Sequence, residues 1–66
     1  MSVVPPLPEM EVLYHHALSG NMREILLRVD NLIEQDEGYR PFAEQLRNLA
    51  LGYQSQALLK FVKNYL

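Results

Sequence analysis

The side chains in this chain best suited to chemistry are two adjacent histidines, His15 and His16. Imidazole nitrogens bind transition metals and exchange protons near neutral pH. The apolar spacing around them predicts a helix, on which neighbouring residues point about 100° apart, so the two rings cannot ligate one metal ion. No third ligand follows four residues after either histidine. The sequence therefore predicts neither a zinc site nor a bound cofactor.

His16 begins the run His16-Ala17-Leu18-Ser19-Gly20, which loosely resembles the H-x-L-K-G signature of histidine phosphotransfer domains. The resemblance implies that His16 would accept a phosphoryl group from a receiver aspartate. Ser19 stands where that signature has lysine, and Gly20 ends the predicted helix one turn after the histidine. Phosphotransfer by His16 is therefore kept as an alternative to surface histidines without chemistry.

Composition narrows the remaining classes of function. The 66 residues include no cysteine, and six Lys/Arg against eight Asp/Glu give a net charge of −2. The absence of cysteine excludes disulfides and thiolate metal sites. The sequence also lacks the cluster of basic residues that is typical of a nucleic-acid binder. The sequence has neither a membrane-spanning apolar run nor a secretory signal, and no spacing suggests a catalytic triad. We expect a soluble, cytoplasmic, non-enzymatic protein whose partner is another protein, with no nucleic acid and no membrane.

The segment from Gly20 to Ile33 contains the end of one predicted helix and the clearest amphipathic helix in the sequence. Gly20 can take the left-handed conformation that ends a helix, and Asn21 with Glu24 predicts an N-cap and a capping box. A helix is predicted from about Asn21 to Glu34. Its apolar residues form one stripe at helical spacing, which identifies a face that packs against the core: Met22, Ile25, Leu26, Val29, Leu32 and Ile33.

Three further amphipathic helices are predicted. The first starts at Pro8, the third opens near Pro41 and ends at Gly52, and the fourth begins at Gln54 or at the better capping residue Ser55. Their stripes are Met10, Leu13, Tyr14, Ala17 and Leu18; Phe42, Leu46, Leu49, Ala50 and Tyr53; and Leu58, Phe61, Val62 and Tyr65. Short connections favour an all-α fold, a small four-helix bundle made of two antiparallel helical hairpins.

Two groups of residues lie outside this pattern. Residues 1–8 contain three prolines and predict a proline-rich linker, or a tail foreign to the protein, before a single bundle domain at 9–66.

Four leucines lie beside the stripes and are candidate interaction residues: Leu27, Leu51, Leu59 and Leu66. We expect most of them to be partly buried in so small a bundle, whereas a contiguous exposed patch would indicate association.

A longer pattern extends over about residues 9–66. Its fixed points are Leu13-Tyr14, Gly20-Asn21-Met22, Tyr39-x-Pro41-Phe42-Ala43, Gly52-Tyr53 and Phe61-Val62. It resembles a short helical module at the C-terminal ends of large bacterial, notably cyanobacterial, hybrid sensor histidine kinases and response regulators. The resemblance implies a non-catalytic accessory module of two-component signalling, attached to receiver or kinase domains. The leading hypothesis is docking or dimerisation, with His16 phosphotransfer and a structural cap without its own partner as alternatives.

Overall fold

The structure is a computed structural model that describes residues 3–66. In chain order it contains α1 (Leu7–Ser19), α2 (Met22–Gln35), a 3-10 helix (Glu37–Tyr39), α3 (Arg40–Leu51) and α4 (Ser55–Lys63). No strand occurs among the described residues. The predicted all-α class and its four helices are confirmed.

The four helices close into a bundle around a single core. α2 packs on α3 and α1 packs on α4, while the hairpin partners α1–α2 and α3–α4 complete the ring. The bundle measures 25 × 21 × 18 Å. Its buried apolar residues come from all four helices: Met10, Leu13, Ala17, Met22, Ile25, Val29, Leu32, Phe42, Ala43, Leu46, Ala50, Leu58 and Val62.

The junction between α1 and α2 follows its sequence prediction. Gly20 has a φ of 68° and closes α1 in the left-handed conformation. The Asn21 side chain then caps α2, because its Oδ1 accepts the Glu24 N–H at 3.2 Å. The capping box itself is incomplete, since the Asn21 N–H donates to the His16 carbonyl at 2.9 Å instead of to Glu24.

The start of the bundle lies earlier than the predicted boundary. α1 begins at Leu7, and the Pro6 carbonyl accepts the N–H groups of Glu9 at 3.0 Å and Met10 at 3.1 Å. Pro5 is buried and Val4 packs against the core. Residues 4–8 are thus part of the folded unit, while Met1 and Ser2 of the predicted linker lie outside the described residues.

An ordered polar turn joins α2 to α3. Asp36 Oδ1 accepts the Gly38 N–H at 2.8 Å, and the Glu37 carboxylate accepts two hydrogen bonds from the Arg40 guanidinium, both at 2.9 Å. The hydrogen bond from Arg40 holds the pKa of Glu37 below its ordinary value. This turn carries α3 back along α2, with which it makes the most extensive helix contact in the bundle.

Candidate functional site

A groove of about 290 Å³ lies between α2 and the end of α3. We call it the α2–α3 groove. α2 supplies one wall, and the last turn of α3 with the residues after it supplies the other. Its lining is mostly apolar: Met22, Arg23, Leu26, Leu27, Asp30, Ala50, Leu51 and Tyr53.

Two of the four candidate leucines meet at this groove. Leu27 is 51% exposed and Leu51 is 60% exposed, and both line the groove together with Tyr53. Leu27 lies on α2 at the solvent-exposed edge of its buried stripe, and Leu51 is the last residue of α3. The fold therefore brings two leucines that are distant in the sequence to one exposed groove, where their side chains form an apolar patch with Tyr53.

The other two candidates lie elsewhere. Leu59 is half-buried and packs against the core from α4. Leu66 is 49% exposed at the end of the described chain. Neither residue lines the α2–α3 groove. Leu27, Leu51 and Leu66 are therefore more exposed than expected. Leu27 and Leu51 lie on helix sides that no neighbouring helix covers, and Leu66 lies beyond the end of α4.

Tyr53 contributes the largest exposed side chain of the patch, and its predicted place in the α3 stripe is wrong. α3 ends at Leu51, so Tyr53 lies in the following turn and is 78% exposed. Its backbone has a φ of 52°, whereas Gly52 before it has a φ of −84°. The left-handed region costs a residue with a Cβ atom about 1 to 2 kcal/mol, and such strain concentrates at functional positions.

The hydrogen bonds of this turn enforce the conformation of Tyr53. The Tyr53 N–H donates to Ala50 O and the Gln54 N–H donates to Leu49 O, both at 3.1 Å. This pair of bonds is the Schellman closure of a helix, whose left-handed position is most often glycine. The sequence signal for this turn is Gly52, which predicts the end of α3 but does not identify Tyr53 as the residue in the left-handed conformation.

Charged side chains of both signs border the groove. Arg23 and Asp30 lie on α2 on either side of the leucine pair Leu26 and Leu27. Asp30 Oδ1 accepts a hydrogen bond from the Arg47 guanidinium at 2.9 Å. Arg23 forms no ion pair within the described part of the chain. The groove thus presents an apolar floor between one unpaired cation and one paired anion.

The histidines lie away from this groove, in the second half of α1. His15 is exposed with its ring 6.3 Å from that of Tyr14, and His16 is half-buried. The His16 carbonyl accepts bonds from Asn21 N and, at 3.1 Å, from the Ser19 hydroxyl. Within residues 3–66 no three side chains of the metal-binding types lie close enough to hold a metal ion.

The apolar stripe of α1 is also narrower than predicted. Leu18 is 54% exposed, because α1 ends one residue later and no neighbouring helix covers that position. Leu18 does not line the α2–α3 groove. It is therefore a natural control for Leu27, since both are leucines on helices with nearly the same exposed fraction.

The fold and the groove define an all-α bundle with an exposed apolar patch bordered by charge. None of the helices among residues 3–66 has the length and apolar character needed to cross a membrane. Comparison with family models, with curated proteins and with solved structures finds no significant match to this chain.

Proposed function

We propose that this chain is a non-catalytic protein–protein interaction module that binds its partner through the α2–α3 groove. The observation that carries the proposal is the exposed cluster of Leu27, Leu51 and Tyr53 around that groove. Large apolar side chains in one contiguous patch lose water contact when a partner covers them, which favours association.

The backbone of Tyr53 supports the same proposal. A tyrosine in the left-handed region reduces stability compared with glycine, yet this residue places an aromatic ring at the edge of the groove. Tyrosine is enriched at protein interfaces because it buries a large, rigid surface at little entropic cost. The position is thus better suited to binding than to folding.

The resemblance in spacing to the C-terminal modules of hybrid kinases suggests the setting. In that setting the chain is part of a cytoplasmic two-component signalling protein, and it positions receiver or kinase domains by docking or dimerising. Docking would use the same groove in either case, so one pair of variants tests both forms of association.

The test replaces Leu27 with glutamine and, as a matched control, Leu18 with glutamine. Sedimentation velocity would measure self-association of the chain and its binding to isolated receiver and kinase domains. Leu27 is already half-covered, so its remaining burial contributes about 1 kcal/mol per interface. We expect Leu27→Gln to weaken association at least fivefold and Leu18→Gln to leave it unchanged, with both variants keeping the helical circular dichroism signal.

Equal weakening by both variants would contradict a groove-specific interface. Loss of helical signal in Leu27→Gln alone would show that Leu27 holds the core together and is not a docking residue. Absence of association with any of these domains, or with itself, would favour the alternative of a structural cap, whose deletion lowers the stability of the parent protein without changing its signalling.

Phosphotransfer by His16 is tested separately. The chain would be incubated with a phosphorylated receiver domain and assayed for acid-labile phosphate, alongside His16→Ala. An interaction module acquires no label. Label that appears in the wild-type chain and disappears in His16→Ala would replace the proposed function with phosphotransfer.

A further inference from the structure

We propose that the partner seated on the α2–α3 groove is a second copy of this chain, with the two α2 helices antiparallel across a twofold axis. This inference rests on the proposed function and names its partner. It is carried by the order of residues along the groove-facing side of α2, which is self-complementary when the direction of the helix is reversed.

The spacing on α2 creates this self-complementarity. Arg23 precedes Leu26 by three residues, and Asp30 follows Leu27 by three residues. Positions 23, 26, 27 and 30 thus recur at i, i+3, i+4 and i+7, which places them on one side of a helix. All four line the same groove.

Reversing the helix direction about the midpoint between Leu26 and Leu27 exchanges the two ends of this stripe. The leucine pair of one copy then meets the leucine pair of the other, and Arg23 faces Asp30 of the second copy. The twofold axis makes this ion pair twice, as an isologous interface requires. Leu51 and Tyr53 border the groove that receives the second α2 helix.

These charges do not pair with one another within a single chain. Seven residues along a helix place their Cα atoms about 10 Å apart, and no ion pair joins them in the described chain. Arg23 has no other ion-pair partner in the described chain, and Asp30 uses one oxygen toward Arg47 while its carboxylate remains largely exposed. A second copy supplies the missing partner for Arg23. Antiparallel α2 helices also set their dipoles in the favourable relative direction.

The size of the surface indicates a weak dimer. The accessible surface of the chain is 4294 Å², and a standard stable interface uses about 800 Å² per partner, roughly a fifth of that area. One groove and one helix face provide less than this. We therefore expect a dissociation constant in the micromolar range or weaker.

The test uses two charge reversals that each leave like charges facing across the axis. Arg23→Glu places a carboxylate against Asp30 of the other copy, and Asp30→Arg places a guanidinium against Arg23 of the other copy. Sedimentation equilibrium over micromolar to millimolar concentrations would measure dimerisation of each variant alone and of their equimolar mixture. Lys63→Glu, which makes the same change of charge as Arg23→Glu at an exposed position in α4, is the control.

We expect each reversal alone to raise the dissociation constant about tenfold, since two exposed pairs are replaced by two repulsions. The mixture should recover wild-type affinity, because the heterodimer contains two restored pairs, and Lys63→Glu should dimerise normally. Recovery on mixing cannot arise from a fold defect in either variant.

Three results would overturn the inference. A wild-type chain that stays monomeric at millimolar concentration excludes the dimer, and if it binds a receiver domain with sensitivity to Leu27→Gln, the proposed function still holds. A dimer insensitive to both reversals uses another face. A mixture that fails to recover affinity excludes the antiparallel arrangement.

Discussion

The turn between α1 and α2 and the turn between α3 and α4 close their helices with the same pair of hydrogen bonds but with different residues. In the first turn, Gly20 N–H donates to Ala17 O at 3.2 Å and Asn21 N–H donates to His16 O at 2.9 Å. The second turn makes the equivalent bonds from Tyr53 and Gln54, both at 3.1 Å. Gly20 occupies the left-handed position in one turn and Tyr53 occupies it in the other.

The difference also extends to the next helix start. Asn21 caps α2 through its side chain, whereas Gln54 precedes α4 without a side-chain cap, and Ser55 is already inside the helix. The first turn therefore has a favourable residue both at the left-handed position and at the N-cap. The second turn has a favourable residue at neither position, and its Tyr53 borders the α2–α3 groove. Local stability and the proposed binding surface are thus separated between the two hairpins.

The largest expected effect is at the left-handed glycine. A Cβ atom at Gly20 would meet no atom within 4 Å, so its cost is purely conformational. We expect Gly20→Ala to lower the free energy of unfolding by about 1 to 2 kcal/mol, measured by urea denaturation.

Gly52→Ala is the matched control for that change. Gly52 has a negative φ, and a Cβ atom there would lie 3.1 Å from the amide nitrogen of the exposed Gln54 side chain, which can move aside. We expect this variant to unfold within a few tenths of a kcal/mol of the wild type. Equal destabilisation by both substitutions would contradict the assignment of the left-handed positions.

Alanine substitutions at the two N-cap residues should differ in stability by almost as much as the two glycine substitutions. Asn21→Ala removes the acceptor for the Glu24 N–H and should cost about 1 kcal/mol. Gln54→Ala removes no capping bond and should leave the stability close to that of the wild type. Thermal unfolding followed by circular dichroism would compare the two variants, and a larger loss at Gln54 would reverse the contrast between the turns.

The change in stability expected at Tyr53 has the opposite sign. Tyr53→Gly relieves the left-handed strain and should raise the unfolding free energy by about 0.5 to 1 kcal/mol, after allowing for the greater freedom of glycine in the unfolded chain. Tyr53→Ala keeps the strain and should be nearly neutral. Urea denaturation of the two variants beside the wild type would measure both changes.

Measurements of dimerisation for the same two variants distinguish the contribution of the Tyr53 ring from that of its backbone conformation. Both Tyr53→Gly and Tyr53→Ala remove the aromatic ring, so both should weaken dimerisation in sedimentation experiments by a similar factor. Weakening by Tyr53→Gly alone would show that the backbone conformation, and not the ring, shapes the groove.

Most of the fold could be predicted from local sequence. Gly20 and Asn21 fixed the first helix boundary because each residue type has a conformational or hydrogen-bonding preference that acts within a few residues. The six-residue apolar stripe of α2 is buried or half-buried throughout, as predicted. The errors lie at stripe ends: Leu18, Tyr53 and Tyr65 fit the periodicity but are exposed, and the two tyrosines lie beyond the ends of α3 and α4.

Local sequence specifies which residues form helices and which face of each helix is apolar, because periodicity and capping depend only on near neighbours in the chain. The candidate site, in contrast, depends on how the helices pack. Leu27, Leu51 and Leu59 look equivalent in sequence, yet the first two meet at an exposed groove while the third packs on the core. The physical reason is that a residue at the edge of an apolar stripe is buried or exposed according to where the adjacent helix passes, and packing of the whole bundle sets that position.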